Sequence, residues 1–522
     1  MNSSTQSIVS RTADAYDSVP YESLPFDTAQ PEHLAAIAVL LGMTPVPLTS
    51  ARVLEIGCAA GGNLLPFAIK HPQAHCIGVD LSERQIRDGQ AFIKQFDVQN
   101  VELLAMDICK AGDELGQFDY IICHGVFSWV PADVQQGILA ACKRLLSENG
   151  MAYISYNVFP GWHCWEIGRH LMYRASAHIE DPKQRLAVAM EALRVFSEHA
   201  SDSPDRPLRQ ILKEGLKRIE GQPWYYVLHE YLEPCNTPLY FRDFVGHCAS
   251  NGLRYLGDVQ FSSMFRENVA SGEADTFIGQ HAKHRYDEEE LFDYLSGRTF
   301  RRSLIVHDHR QLNLAVEPSR LNTLFVSSTL HRVNEPVSGD AVTFRKQNNH
   351  DYKLKIRDPM GIAILDLLSA HTPHPVDLPT LLFEYWTVSG EDASKKTDQD
   401  ILQGLDTIAT FLLSLLKKDA VAVAFQPVMA TNHISERPEA FALARAQAII
   451  EQSWVCNTYA QVVPTEPIMK ALLPMLDGTR TVQDLLAAKQ QWLPANEPKQ
   501  HDAASVLQRN LERMCATSLL TR

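Results

Sequence analysis

From residue 51 to residue 156 the chain alternates short β-branched apolar runs with helix-like stretches, and this rhythm restricts the fold more than any other feature. The runs are Arg52–Ile56, His75–Val79, Val101–Ala105, Phe118–Cys123 and Met151–Ser155. Between them, segments such as Ser82–Phe96 and Pro131–Leu146 carry apolar residues at three- and four-residue spacing. Strand, helix, strand at this period predicts a doubly wound parallel sheet with right-handed crossovers. A ligand site in such a sheet lies at the carboxyl ends of the strands, so the residues after each run are the candidates.

After the first run, Glu55, Gly57, Cys58, Ala59, Gly61 and Asn63 belong to a glycine-rich turn that opens a helix. Such a turn exposes backbone N–H groups, and a helix amino end favours an anionic group. A dinucleotide fingerprint needs glycine where Ala59 stands, because a methyl there obstructs the pyrophosphate. S-adenosylmethionine presents a carboxylate and a ribose instead, and tolerates the alanine. Asp80 ends the second run, placed to accept from both ribose hydroxyls, with Leu81 and Gln85 beyond it. Asp107 and Ile108 follow the third run, where a carboxylate and a backbone N–H meet an adenine edge. His124, Gly125 and Val126 follow the fourth and should floor the reactive end. One acid alone is usually a cap or a solvated turn residue. Four polar strand ends in register with a glycine turn point to an adenosyl ligand.

At these positions the chain resembles the class I S-adenosylmethionine-dependent methyltransferases. Longer motifs add to this: Tyr16-Asp17-x-x-Pro20-Tyr21, Gly61-Gly62-Asn63-Leu64, His124-Gly125-Val126-Phe127-Ser128-Trp129-Val130-Pro131 and Ser155-Tyr156-Asn157-x-x-Pro160-Gly161-Trp162. They resemble the bacterial methyltransferases that carry a methyltransferase regulatory domain, a group that includes the rickettsial protein lysine methyltransferases. The resemblance implies a Rossmann-like seven-stranded sheet with S-adenosylmethionine as methyl donor. It also implies that Glu55, Gly57, Cys58 and Gly61 form the first-motif turn, with Asp80 as the ribose acid and Asp107 and Ile108 as the adenine pair. The implied reaction is N-methylation of a lysine in a protein acceptor. A small molecule or cell-envelope precursor is the alternative acceptor, and a binding module without turnover is the non-enzymatic one.

Methyl transfer needs an uncharged nucleophile in line with a sulfonium carbon, so the acceptor must be positioned and, if it arrives charged, deprotonated. Tyr156, Asn157 and Trp162 follow the fifth run, where an acceptor approaches. Tyr16 and Tyr21 lie in an aromatic stretch before the sheet that reads as a lid over the donor. His124 is the best candidate base.

The segment 163–237 reads as a helical insert and is the expected dimerisation element, so a homodimer is expected. The sixth strand is expected near Leu253–Val259 and the seventh at Arg301–Val306. The expected boundaries are an arm or lid at 1–48, the donor-binding core at 49–162, the insert at 163–237 and completion of the catalytic domain at 238–310. A middle domain at 311–430 and a winged-helix-like domain at 431–522 follow. Asp477-Gly478 before a Thr481-capped helix is the winged-helix signal. A net charge of −14 disfavours nucleic acid as partner. The apolar stretch Leu34–Leu48 is too short, and too interrupted by Pro45 and Pro47, to span a bilayer. The first thirty residues lack the apolar core of a secretory signal. Ten scattered cysteines without a C-x-x-C pair read as reduced core thiols, and a cytoplasmic protein is expected. His281 with His284, and His307 with His309, lack a third ligand at fixed spacing, so no metal is expected.

Overall fold

The computed structural model describes residues 17–201, 207–333, 341–347, 349, 351–450, 452–494 and 502–522. Seven strands form the main sheet: β1 (Arg52–Ile56), β2 (His75–Asp80), β3 (Val101–Ala105), β4 (Phe118–Cys123), β5 (Leu146–Asn157), β6 (Leu253–Asp258) and β7 (Phe300–His307). Their order is β3-β2-β1-β4-β5-β7-β6. The first five run parallel, and β7 is antiparallel to both β5 and β6. Leu54, Ile121, Ala152 and Ile154 are fully buried in one cluster, as a sheet covered on both faces requires. The sixth and seventh strands lie where the sequence places them.

Between β5 and β6 the insert supplies the helices Gly161–Ser176, Pro182–His199, Leu208–Ile219 and Trp224–Leu232. The second starts cleanly: Pro182 occupies its first turn, and Asp181 caps it by accepting from the Gln184 N–H at 2.8 Å. Met172, Leu193, Leu212, Ile219 and Val227 share a core of their own with Val19. The helix Arg285–Ser296 lies between β6 and β7 and ends at Gly297, which takes the left-handed conformation.

The chain divides into two compact units that cut across the expected boundaries. One holds the described residues up to Ser23, from Asp17 on, with Ala51–Gly61 and His75–Arg310. The other gathers Leu24–Ser50, Gly62–Ala74 and Gln311–Arg522. Residues 24–48, expected to belong with the arm or lid, group with the second unit. The reason lies in the helix Pro31–Leu40, whose Leu34, Ala35, Ala36, Ile37, Ala38 and Leu40 are all buried. A helix apolar on every side has to be enclosed. Within the second unit it packs on the strand Ala422–Ala424 and the short helix Pro318–Thr323. Arg320 Nη1 donates to its Leu40 carbonyl at 2.8 Å. The helix Leu64–Lys70 packs on Ala442–Ile449 in the same unit.

The remainder of that unit is α+β. The helices Pro359–His371, Leu378–Val388 and Asp398–Lys417 accompany a three-stranded antiparallel sheet of Leu330–Val333, Val342–Lys346 and Lys353–Ile356. The sequence pattern did not show these strands, and the polar stretch Pro336–Asp340, whose composition reads as a turn or linker, lies outside the described residues. The last segment has the helix Ala442–Ile449, a hairpin of Trp454–Cys456 with Val462–Pro464, and three further helices. Thr481 caps one of them reciprocally, accepting from the Asp484 N–H at 3.1 Å while Asp484 Oδ2 accepts from the Thr481 N–H at 2.8 Å.

One ion pair ties two segments of this unit together. Lys70 Nζ lies 2.6 Å from Glu32 Oε1, and His71 Nε2 lies 3.3 Å from the same oxygen. Burial raises the Glu32 carboxyl, but Lys70 and His71 outweigh it and bring the group down from 4.5 to about 2. A depressed carboxyl contributes stability that is complete above its unfolded value and is lost as pH falls toward the folded one. Glu32→Gln should therefore flatten the decline of melting temperature between pH 4.5 and 2. An acid limb identical to that of the parent protein refutes the assignment.

Candidate functional site

The chain leaves β1 through a turn with three left-handed residues, Gly57 (φ 75°), Ala59 (φ 50°) and Gly61 (φ 81°). Gly57 has a second reason to be glycine: a Cβ there would sit 2.2 Å from Val126 Cγ2. Ala59 is held by its N–H, which donates to Asp80 Oδ2 at 2.9 Å. The other Asp80 oxygen accepts from the Ser82 N–H at 2.8 Å. Two backbone donors thus aim the carboxylate at the end of β2, and each oxygen keeps a further lone pair for a ligand hydroxyl. Burial raises the Asp80 carboxyl, while the Ser82, Ala59 and Leu81 N–H groups favour its charged form.

Beside Asp80, Ser82 caps the helix Glu83–Gln95 by accepting from the Gln85 N–H at 3.2 Å. Its hydroxyl donates to Asp17, and Arg84 Nη1 donates to the Asp17 carbonyl at 2.8 Å. The segment before the sheet is therefore anchored at the end of β2, through residues the sequence reading passed over. Leu81 is exposed here and Gln85 is buried. Past β3, Asp107 caps a short turn by accepting from the Cys109 N–H at 3.0 Å, and Ile108 is buried beside it. Glu55 and Cys58 are buried as well, and burial raises the Cys58 thiol far above its usual value. Asn63 Oδ1 accepts from the Phe26 N–H at 2.9 Å and from Gln30 Nε2 at 2.7 Å, so that oxygen is committed within its own unit. Tyr16 lies outside the described residues.

At the end of β4, Gly125 is exposed at φ 67°, with no atom within 4 Å of where a Cβ would stand. Its N–H donates to Ser155 Oγ at 2.8 Å. His124 Nδ1 lies 2.8 Å from the Tyr153 hydroxyl, and the two rings stack. Burial, with Arg302 adding to it, lowers the His124 imidazole to about 3. A ring that stays neutral to so low a pH is a weak proton acceptor. Its burial and its hydrogen bond to Tyr153 count against His124 as the base.

The acceptor-side expectations change most. Successive residues of a strand face opposite sides. Tyr153 and Ser155 point to the His124 side, whereas Tyr156 packs in the core against Phe244 and Phe127. Its hydroxyl meets Ser303 Oγ at 3.2 Å. Tyr156 is thus sealed under the sheet and is not presented to an acceptor. Asn157 is buried: its N–H donates to Ser128 Oγ at 2.8 Å, and its Nδ2 to Asn236 Oδ1 at 3.1 Å. Trp162 is fully buried, and its Nε1 has no partner among the described residues. Tyr21 meets the insert, with its ring edge-on to Tyr225 at 5.8 Å and tilted against His229. Period-two reading back from the end of β5 would have found Tyr153 and Ser155.

Glycine turn, carboxylate at the end of β2, buried apolar residue past β3 and open glycine past β4 fit a nucleoside with a carboxylate-bearing tail. Among the described residues no group of three His, Cys, Asp or Glu side chains is placed to hold a metal ion. No helix there is long and apolar enough to cross a membrane.

Three family models match the chain: "Methyltransferase domain" at residues 54–152, "Predicted methyltransferase regulatory domain" at 223–307, and "PKMT, C-terminal winged helix domain" at 436–521. Uncharacterized protein RP789 of Rickettsia prowazekii is 29% identical over 500 residues, covering 93% of this chain and 88% of the relative. Uncharacterized protein RP028 of the same organism is 39% identical over 242 residues, 46% of this chain and 96% of the relative. The solved structure of PKMT2 from Rickettsia typhi in complex with AdoHcy superposes with a TM-score of 0.84 at 27% identity, covering 96% of this chain and 100% of that one. The likeness therefore extends from the donor turn through the insert to the winged helix. The chain belongs to the class I S-adenosylmethionine-dependent methyltransferases that carry a methyltransferase regulatory domain.

Proposed function

We propose that this methyltransferase N-methylates lysine side chains of a protein acceptor. The observation that supports this most is the end-to-end likeness to PKMT2, which takes in the insert and the winged-helix segment as well as the donor sheet. When bound, the donor supplies an electrophilic methyl group. Asp80 would hold the ribose hydroxyls, Asp107 and Ile108 would meet the adenine, and the Gly57–Gly61 turn would lie beside the amino-acid end, its Gly57, Cys58, Ala59 and Gly61 N–H groups being bonded to Val79, Asp80 and Cys58. The uncharged His124 spares the sulfonium a cationic neighbour. The exposed apolar residues Phe196, Leu208 and Trp224 of the insert suit a homodimer, which light scattering on the purified protein checks.

Two experiments bear on this reading. Hydrogen bonds to a charged group contribute about 1.5–3 kcal/mol, so Asp80→Ala should lower donor affinity roughly 10- to 100-fold by calorimetric titration. An unchanged affinity removes Asp80 from the site. For the acceptor, a bacterial lysate incubated with methyl-labelled S-adenosylmethionine and acid-hydrolysed should yield labelled methyl-lysine. Label confined to extractable small molecules favours the small-molecule or envelope-precursor acceptor instead. Donor binding without any labelled product favours a binding module.

A further inference from the structure

The segment before the sheet and the last helix of the insert meet beside the carboxylate of Glu230. Asp17 is bonded to Ser82 and Arg84 at the end of β2. Two residues on, the Val19 carbonyl lies 2.9 Å from His229 Nε2, and Glu22 accepts from the Tyr225 hydroxyl. Asp17 and Tyr21 are four residues apart, so Tyr21 stays within about 14 Å of the ribose acid's neighbour. Past the helix Trp224–Leu232, the chain lies along the carboxyl ends of β4 and β5. There the Thr237 N–H donates to the Ser128 carbonyl at 2.7 Å, and the Leu239 N–H to the Asn157 carbonyl at 3.2 Å.

Glu230 occupies the last turn of that helix, between these two anchorages. It is faced by Tyr21 from the arm, Tyr226 and Tyr231 from its own helix, Arg169 from the first insert helix and Arg218 from the third. Neither guanidinium group is bonded to it: Arg169 Nη2 donates to the Glu233 carbonyl while its Nε has no hydrogen-bond partner among the described residues, and Arg218 lies 4.9 Å over the Trp165 ring. Among the described residues the Glu230 carboxylate has no hydrogen bond and no ion pair. An acid recessed among phenol rings, unclaimed by its own arginines, is suited to a cation from outside.

We propose that Glu230 receives the ammonium group of the acceptor lysine and takes its proton, with the rings of Tyr21 and Tyr226 flanking the lysine stem. This rests on the lysine N-methylation proposed above. The step balances. The ammonium gives one proton to the carboxylate, and the freed amine lone pair forms a bond to the donor's methyl carbon as the carbon–sulfur bond breaks. The bonding pair leaves with sulfur, which becomes a neutral thioether. The product is a methylated ammonium, and Glu230 later gives its proton to water. Burial raises Glu230 from 4.5 to about 7, against the pull of Arg218 and Arg169, which brings it near the working range of a base. Burial and the neighbouring Glu230 keep the Tyr21 and Tyr226 phenols protonated.

The test uses the full chain and the lysine label of the lysate assay. Glu230→Gln should lower methyl-lysine formation by roughly 100-fold, a typical general-base contribution, while calorimetric donor affinity changes by less than about twofold. In the parent protein, turnover should rise with pH through about 7, because the carboxylate form is the active one, and the variant should lose that inflection. Should Glu230→Gln not fold, Glu230→Asp keeps the charge at shorter reach and should give intermediate loss with the inflection retained. Near-parental turnover in Glu230→Gln, a parental profile flat from pH 6 to 8, or a parallel collapse of donor affinity overturns the assignment. If the parent labels no lysine, the lysine reading itself fails and this assignment fails with it. Labelled lysine with an indifferent Glu230 sinks only the latter.

Discussion

Arg301→Met should destabilise the first unit by about 3–5 kcal/mol, the usual cost of removing one partner from a buried charge network. Arg301 is fully buried on β7. Its Nε and Nη2 hold the two Asp293 oxygens at 2.8 and 2.9 Å, and Nη1 reaches Glu289 Oε2 at 3.1 Å. Nη2 also donates to the Glu289 carbonyl at 2.8 Å, and the guanidinium lies 3.8 Å over the Phe241 ring. Methionine fills much of the volume but leaves Glu289 and Asp293 with one arginine each, Arg285 and Arg298. The Tyr255 hydroxyl, which donates to Glu289 at 2.6 Å, cannot replace a charge. Lysine should serve little better, because a single ammonium does not reproduce the fork that meets both acids. Urea unfolding measures the loss through its midpoint at unchanged slope. A shift below about 1 kcal/mol would falsify the claim that this network anchors the regulatory segment to the sheet.

Gly57→Ala should abolish useful donor binding while leaving most of the sheet intact. Two costs add. A left-handed φ is worth roughly 1–2 kcal/mol against any residue with a Cβ. The new methyl would also stand 2.2 Å from Val126 Cγ2, and a β-branched neighbour has no free rotamer into which to retreat. Either the turn opens or Val126 moves, and Val126 adjoins the open Gly125. About 2.7 kcal/mol corresponds to a hundredfold loss of affinity, and the expectation is at least that. Calorimetric titration alongside far-ultraviolet circular dichroism separates the site from the fold. Affinity within threefold of the parent would show that the turn does not touch the donor.

Residue spacing revealed the sheet because a parallel strand buried on both faces writes a dense apolar run; the edge strand Val101–Ala105, with Glu102 and Ala105 exposed, departs from that pattern. The last two strands were equally legible, Leu253–Asp258 from its Asn-Gly stop and Phe300–His307 from its β-branched centre. Face assignment was harder. Tyr153, Ser155 and Tyr156 lie within four residues; alternation sets Tyr156 on the face opposite the other two, and the contacts of Tyr153 with His124 show which face borders the end of β4. Partner choice was invisible for another reason: the helix Pro31–Leu40 declares that it must be enclosed, yet nothing in it names Ala422–Ala424 as what encloses it. Glu230 escaped because one acid in a helical stretch is ordinarily a solvated residue. Its distinction comes from Tyr21, some two hundred positions away.

The interleaving of the second unit has a consequence for how the protein is made. The helix Pro31–Leu40 leaves the ribosome early, but the strand that covers it follows roughly 380 residues later. At about 5–20 residues per second, that leaves an all-round apolar helix without its native cover for roughly 20–80 s. The same delay rules out trimming the tail. A chain ended near residue 310 would never make that cover, and would carry Pro31–Leu40 and Leu64–Lys70 as uncovered apolar surface for a chaperone to hold. Synthesis rate and chaperone supply, more than the final stability, should therefore govern the yield of folded enzyme.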